Sequence, residues 1–202
     1  MSVDWTTYLQ AEDMNEVQQA ALGLKQKQVE THDSQIRADL EVASRMYILR
    51  GEFEHAGQHN NPQAALAGVR ALLGERELLD ECSPSWHSRV HQLHGRLFLS
   101  LGDYAGGADC FERAARIREE AYNGSDMAVY LYNSASSAAL LAGAEEWAAE
   151  MALCSLKHLE KHSWMLDDPQ GIKRRKEAAR CLNQALGLEP HGIRRSRLFR
   201  RK

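Results

Sequence analysis

The segment from His91 to Glu119 constrains the fold of this chain more than any other part of it. Its apolar residues recur at three- and four-residue steps, which is typical of helices that bury one face. The pattern is interrupted at Leu101-Gly102-Asp103, where glycine and aspartate favour a tight turn. Glycine, aromatic and alanine residues on both sides of this turn stand where a helix-turn-helix repeat needs them. The segment therefore predicts two short helices joined by a turn.

The composition extends this prediction to the whole chain. Alanine and leucine are abundant, only 4 of the 202 residues are proline, and runs of β-branched residues are rare, so helices are favoured throughout. We therefore expect an all-α protein with a single domain over residues 1–190. No apolar run approaches the roughly 18 residues of a membrane span, and the first residues lack the pattern of a secretory signal. These observations favour a cytoplasmic protein without a transmembrane segment.

Turn and capping residues divide the chain into helical segments that pair into three predicted hairpins. We place these hairpins at about residues 34–82, 85–122 and 126–162, after a polar N-terminal helix. The segment 168–187 has one narrow apolar stripe and a charged outer face, which suits a C-terminal capping helix. Residues 191–202 are rich in arginine, and we expect them to form a disordered basic tail.

Turn glycines recur along the chain at similar intervals. Gly57, Gly102 and Gly143 fall 45 and 41 residues apart, each between two predicted helices. The residues around the middle glycine resemble a tetratricopeptide repeat, in which small residues allow close helix contact and aromatic residues fill the space beside them. The sequence departs from this consensus at His91 and His94, where the family often has Trp and Leu. The matching residues are Gly95, Phe98, Gly102, Asp103, Tyr104, Gly107, Phe111 and Ala114.

The next segment is similar to the longer repeats of the kinesin-light-chain type. Those repeats commonly end a hairpin with Ile-Arg-Glu, continue through a linker that contains Asp, and place Asn between alanines in the following helix. The two resemblances together cover about residues 37–162. The matching residues here are Ile117, Arg118, Glu119, Asp126, Ala128, Asn133 and Ala135.

The resemblance implies a right-handed superhelix whose concave groove binds an extended peptide or a helix of a partner protein. The first helix of each hairpin lines such a groove. Asn133 matches the groove Asn of the family, whose amide can donate to and accept from a peptide backbone. Arg89 and Arg96 can pair with an acidic side chain or a C-terminal carboxylate. The positions that face the groove are Tyr47, Arg89, Gln92, Arg96, Leu99, Tyr130, Asn133, Ser137 and Leu140.

Histidine and cysteine residues raise the question of a metal site. His87, His91 and His94 lie at i, i+4 and i+7 on one helical face, a spacing that can bind zinc. Two of these histidines occupy packing positions of the repeat, however, and no acidic residue in the same turns completes a site. The four cysteines are far apart and form no C-x-x-C pair, which indicates buried free thiols. We therefore expect no metal and no cofactor.

Recognisable catalytic motifs are absent from the sequence. It contains no G-x-S-x-G motif, no phosphate-binding loop and no G-x-G-x-x-G motif, and its carboxylates are scattered over helix faces. No set of residues meets the requirement for a nucleophile, a base and an oxyanion site. We therefore predict that the protein is not an enzyme, and that it binds partner proteins as an adaptor, scaffold, regulator or chaperone.

The charge distribution and the repeats leave alternatives open. The nine residues 194–202 carry six positive charges, so the net charge of −3 leaves −9 on residues 1–193. The basic tail suits contact with nucleic acid or with an acidic membrane surface, but the acidic body argues against extended nucleic-acid binding. A further alternative is a self-assembling structural component, a homo-oligomer in which another copy fills the groove.

Overall fold

A computed structural model describes residues 22–23, 25–28, 32–54 and 61–188 of the chain, with the side chains of Glu52 and Glu54 excepted. This part of the chain folds into helices and contains no β-strand, which confirms the all-α prediction. Most of the predicted N-terminal helix, the turn at Gly57 and the basic tail 191–202 lie outside the described residues.

The described helices follow one another with short connections. A 3₁₀ helix, Ser163–Asp167, precedes the last α-helix. The α-helices are α1 (Ser34–Glu54), α2 (Pro62–Gly74), α3 (Arg76–Glu81), α4 (Pro84–Ser100), α5 (Tyr104–Ala121), α6 (Asp126–Leu141), α7 (Glu145–Lys161) and α8 (Pro169–Ala185).

Polar side chains and prolines start these helices. Asn61 accepts a hydrogen bond from the backbone N–H of Ala64 at 3.0 Å, and Asp103 accepts one from Gly106 at 2.8 Å. Each bond satisfies a donor that the first helical turn leaves unpaired. Prolines occupy the first position of α2, α4 and α8, where a missing N–H is tolerated.

The second half of the first predicted hairpin, for which the apolar pattern predicts one helix from Pro62 to about Cys82, is instead two helices, α2 and α3. The break lies at Glu75, whose φ of −85° and ψ of 70° are not helical. It follows Gly74, a residue type with low helix propensity. The side chain of Glu75 accepts a hydrogen bond of 2.6 Å from Arg45 on α1, and this contact favours the bend.

The helices α4 and α6 end in the same way, each just before a glycine. The equivalent positions of Gly102 and Gly143 in the sequence predict this similarity. Gly102 and Gly143 have φ angles of 80° and 75°, a region that favours glycine over other residues. The residue after each glycine donates its N–H to a carbonyl five residues earlier, from Asp103 to Phe98 and from Ala144 to Ala139, both at 2.9 Å. This is the Schellman arrangement, which satisfies the last carbonyls of a helix.

Consecutive helices pack against each other along the chain. α1 contacts α2, α2 contacts α4, and each helix from α4 to α8 contacts the next, while α1 also contacts α4 and α8 also contacts α6. Small residues allow closest approach within the hairpins. A Cβ atom at Gly95 would lie 3.1 Å from the carbonyl oxygen of Gly107. At the equivalent place in the next hairpin, the hydroxyl of Ser136 donates to the carbonyl of Ala148 at 2.7 Å.

The core is divided into two larger clusters of buried apolar side chains. The first joins α1, α2, α3 and α4 and contains Leu40 and Leu97. The second joins α5, α6, α7 and α8 and contains Phe111 and Met151. The boundary between these clusters runs close to the surface on which the candidate site lies.

Candidate partner-binding groove

A cavity of about 280 Å³ lies between α1, α4 and α5. The predicted groove residues Tyr47, Arg89, Gln92 and Arg96 all line it. We call this space the arginine cavity, because four of its lining residues are arginines. The lining residues are Met46, Tyr47, Arg50, Trp86, Arg89, Gln92, Leu93, Arg96, Arg118 and Met127.

The spacing of residues along α4 directs their side chains into the cavity. Arg89, Gln92 and Arg96 are three and four residues apart, so they share one face of the helix. The opposite face carries Val90 and Leu97, which are fully buried in the first core cluster. Burial of this apolar face leaves the polar face of α4 turned toward α1.

Aromatic rings support two of the arginines. The guanidinium carbon of Arg89 lies 5.2 Å from the centre of the Trp86 ring, and that of Arg96 lies 5.9 Å from the Phe53 ring. Both distances are within the range of a cation–π interaction. The rings therefore hold the two cations in place on the surface of α4.

Two of the four arginines, Arg50 and Arg118, were not among the residues predicted to face the groove. Arg118 lies on α5, a second helix of a hairpin, and the family pattern directs attention to first helices only. Its terminal nitrogen Nη2 donates to the carbonyl of Ser85 at 3.1 Å and to the hydroxyl of Ser85 at 2.8 Å. These bonds turn the guanidinium toward the start of α4. Arg50 lies one turn beyond Tyr47 on α1, so helical spacing alone indicates that both residues share one face of the helix.

The arginines are partly desolvated and repel one another. Burial lowers the pKa of Arg89; the nearby Tyr47 opposes this effect, and the positive charge of Arg50 adds to it. Burial also lowers the pKa of Arg118, and the positive charge of Arg89 lowers it further, while Tyr122 and Asp126 oppose the change. Arginine stays protonated in proteins, so these shifts indicate that burial and like charges disfavour the guanidinium cations of Arg89 and Arg118.

The other predicted groove residues do not reach the arginine cavity. Helix α8 covers the expected groove face of α6, so Asn133 is only 1% exposed, and its side-chain nitrogen donates to the carbonyl of Arg174 at 2.9 Å. Ser137 contacts Cys181 of α8 through its hydroxyl, at 3.4 Å from the sulfur. Asn133 is therefore a helix-packing residue here, contrary to the expectation that it faces a ligand.

The remaining predicted residues are divided between core and surface. Leu99 and Leu140 are half-buried and pack against the second core cluster. Tyr130 is 41% exposed, on the side of α6 where the sequence placed it, but it does not line the arginine cavity. The structure thus gathers the predicted residues of α1 and most of those of α4, and separates them from those of α6.

The histidines of α4 line a second cavity, of about 560 Å³, on another side of that helix. The rings of His87 and His91 stack with their centres 5.3 Å apart, and Nδ1 of His94 lies 3.3 Å from the sulfur of Cys110. Burial is the main cause that lowers the pKa of His91 and of His94 to about 4. Over the residues that the structure describes, no group of three or more His, Cys, Asp or Glu side chains is arranged to hold a metal ion.

A polar cluster around Glu119 connects α5, α6 and α7. The hydroxyl of Tyr132 donates to this carboxylate at 2.6 Å, and Nδ1 of the buried His158 lies 3.3 Å from it. Burial opposes ionisation of Glu119, but its contacts with Tyr132 and His158 hold its pKa below the usual value. These residues link neighbouring helices, and they do not line the arginine cavity.

The thiols are poor candidates for nucleophiles. Burial raises the pKa of Cys82 and of Cys110 to about 12, so both are protonated at neutral pH.

As far as the structure describes the chain, none of its helices combines the length and the apolar character that crossing a membrane requires.

Comparisons of the chain with models of protein families, with curated proteins and with solved structures returned no match. The function of the groove therefore has to follow from its own side chains.

Proposed function

We propose that this protein is a tetratricopeptide-like interaction module that binds a segment of a partner protein between α1 and α4. One observation carries the proposal. The register of the resemblance predicts that Tyr47, Arg89, Gln92 and Arg96 face a common groove, and these four residues line a single cavity. These positions follow from the sequence register and not from the packing of α1 against α4. That all four line one cavity therefore supports a groove between these two helices.

The repeated helix contacts support the same architecture. Gly95 and Ser136 each stand seven residues before a turn glycine, and each touches the backbone of the following helix. A right-handed superhelix of three hairpins, closed by α8 as a capping helix, accounts for the order in which the helices pack. In such an array the first helices line the concave face.

The cavity has the chemistry of an anchor point for a protein ligand. Its volume of about 280 Å³ is below the range of about 300–1,000 Å³ that is usual for small-molecule sites, and it suits one anchoring side chain. Tyr47 and Trp86 offer aromatic surface, and arginines and aromatic residues dominate the energetics of protein interfaces. Gln92 adds an amide that can donate to and accept from a peptide backbone. Such an anchor supports an adaptor or chaperone-like role. We propose that the protein performs this role in the cytoplasm.

A matched pair of charge reversals tests the proposal. Arg96→Glu changes an exposed residue of the cavity, so the fold is retained, and Arg175→Glu changes an exposed residue on α8. Affinity capture with quantitative mass spectrometry identifies the partners, and each is then titrated in purified form. We expect the wild type and Arg175→Glu to bind the same partners and Arg96→Glu to lose them. Equal binding by all three proteins would contradict the groove assignment.

A shortened chain separates the groove from the basic tail. A variant that ends at residue 190 lacks the six positive charges of residues 194–202. The proposal expects this variant to keep the partners that Arg96→Glu loses. Loss of those partners with the tail would instead favour the alternative of a nucleic-acid- or membrane-associated factor. Light scattering at several concentrations tests the remaining alternative of a self-assembling component, and a monomer throughout would exclude it.

A further inference from the structure

The arginines of the arginine cavity carry more positive charge than a single carboxylate would neutralise. Its four arginines come from three helices, and none of its described lining residues is an aspartate or a glutamate. This concentration contrasts with residues 1–193 as a whole, whose net charge is −9. A local cationic site in an acidic body is selective for a compact anion over an extended polyanion.

Two carboxylates close to Arg118 along the chain, Asp126 and Glu119, accept hydrogen bonds from other groups. Asp126 is the acidic group that raises the pKa of Arg118, and its carboxylate accepts a hydrogen bond of 2.7 Å from Arg174 on α8. Glu119 is occupied by Tyr132 and His158. Both carboxylates therefore have partners other than the arginines of the cavity.

The mutual repulsion of the arginines is an energy that a bound anion relieves. Arg50 acts on Arg89, and Arg89 acts on Arg118, in each case as a like charge. The ring of Trp86 and the side chain of Ser85 fix two of these guanidiniums, so little conformational entropy remains to be lost when a ligand binds. The guanidinium groups of Arg89 and Arg118 are thus positioned in advance for an anion.

On the basis of the proposed function, we propose that the group bound in the arginine cavity is a phosphoryl group on a side chain of the partner segment. A phosphoryl group carries a charge of about −1.5 to −2 at neutral pH and presents three acceptor oxygens. A carboxylate carries a single charge and is satisfied by one two-pronged arginine. A phosphoryl group can therefore accept hydrogen bonds from several arginines at once, as their approach from α1, α4 and α5 requires.

The position of the cavity argues for a peptide as the carrier of this group. Tyr47, Trp86, Met46 and Leu93 surround the arginines with apolar and aromatic surface, on which the rest of a peptide side chain can pack. A nucleic acid or a lipid surface presents many phosphates and favours an extended basic face. The acidic charge of residues 1–193 repels such ligands.

Peptide pools of defined chemistry test the inference on the full chain. We would measure fluorescence anisotropy with nine-residue pools that have random flanks and a central phosphoserine, phosphotyrosine, serine or glutamate. We expect at least one phosphorylated pool to bind roughly tenfold more tightly than the glutamate pool, because two charges and three oxygens replace one charge and two oxygens. Arg89→Gln is expected to reduce that advantage to less than about twofold. The matched control Arg113→Gln, an exposed residue of α5 outside the cavity, is expected to leave it unchanged.

A second measurement needs no variant and therefore does not depend on how a variant folds. Phenyl phosphate and benzoate carry the same ring with a phosphoryl group or a carboxylate. We expect phenyl phosphate to raise the melting temperature of the wild-type protein, and benzoate at the same concentration to raise it much less. Equal shifts, or none with either compound, would overturn the inference.

The outcomes distinguish this inference from the proposed function. One outcome is that the glutamate pool binds as tightly as the phosphorylated pools, with Arg96→Glu abolishing the binding of both. This result would support the proposed partner-binding function and contradict the inference that the ligand is a phosphoryl group. If all pools bind equally and Arg89→Gln has no effect, the inference again fails, while the module is judged by its own partner test. Binding of RNA or of anionic vesicles that depends on Arg89 would also overturn the choice of a peptide.

Discussion

The carboxylate of Asp39, on α1, accepts a hydrogen bond of 2.5 Å from the backbone N–H of Ser83, the residue immediately before α4. The two helices that it joins are the two main walls of the arginine cavity. Burial raises the pKa of Asp39 in spite of this hydrogen bond, because the charged form is poorly solvated there. The contact thus combines a useful acceptor with a charge that is costly to bury.

Replacement of Asp39 separates these two effects. Asp39→Ala leaves the N–H of Ser83 without its acceptor, and we expect the free energy of unfolding to fall by about 1–3 kcal/mol. Asp39→Asn keeps an acceptor oxygen and removes the buried charge, so a smaller loss is expected. Urea denaturation followed by circular dichroism measures both values. Equal losses for the two variants would show that the charge itself is essential.

The close approach of α4 and α5 predicts an intolerance of side chains at Gly95. A Cβ atom there meets the carbonyl of Gly107 at 3.1 Å and the ring of Phe111 at 3.2 Å, so Gly95→Val overpacks the contact. We expect a loss of about 1–3 kcal/mol in the free energy of unfolding. The control is Gly74→Ala, at the end of α2, where a Cβ atom meets nothing within 4 Å. That variant is expected to be neutral or slightly more stable, and thermal denaturation of both compares them.

The histidines of α4 predict that stability falls in acid. In the folded chain burial holds the pKa of His91 and His94 at about 4, compared with an ordinary value of 6.5. The unfolded chain therefore binds more protons between these values, and stability decreases as the pH falls from about 6.5 to about 4. Because the rings are only partly buried, we expect each to contribute on the order of 1 kcal/mol across this range.

The variant His94→Leu tests this pH dependence. Leucine is the usual residue of the tetratricopeptide consensus at this position, and it cannot take up a proton. Near His94 lie Asp109, which favours protonation, and Arg70 and Arg113, which oppose it. We expect melting temperatures of the variant to depend less on pH than those of the wild type. Parallel profiles for the two proteins would contradict the prediction.

The position of Asn133 predicts a structural role for its amide. Asn133→Ala removes the hydrogen bond to the carbonyl of Arg174, and we expect a loss of about 1 kcal/mol together with faster hydrogen exchange in α8. Binding of the phosphorylated peptide pools is expected to remain, since the residue does not line the cavity. Loss of peptide binding with unchanged hydrogen exchange in α8 would instead indicate that Asn133 contacts the ligand.

Features that depend on neighbouring residues were predictable from the sequence. Pro62 and Asp103 start helices, and Gly102 and Gly143 end them, because capping and positive φ are local requirements. The shared face of Arg89, Gln92 and Arg96 follows from helical spacing alone. These local rules were sufficient to predict most of the helices, whereas the choice of the face that lines the candidate site came from the resemblance to the tetratricopeptide repeat.

Features that depend on distant contacts were not predictable in this way. Asn133 is covered by α8, a helix that lies more than 30 residues further along the chain. The bend at Glu75 involves Arg45 on α1, and the place of Arg118 in the cavity depends on how α5 packs against α4. A single sequence carries no direct signal for such pairings, so they needed the structure.

The division of the core has a consequence for how the chain responds to a bound ligand. Arg50, Arg89 and Arg96 stand on helices of the first cluster, whereas Arg118 stands on a helix of the second. An anion held by all four arginines therefore spans the junction between the two core clusters. Because such a ligand binds the folded chain and not the unfolded chain, its binding free energy adds to the free energy of unfolding. Occupancy of one small cavity thus reinforces the junction at which the two clusters meet.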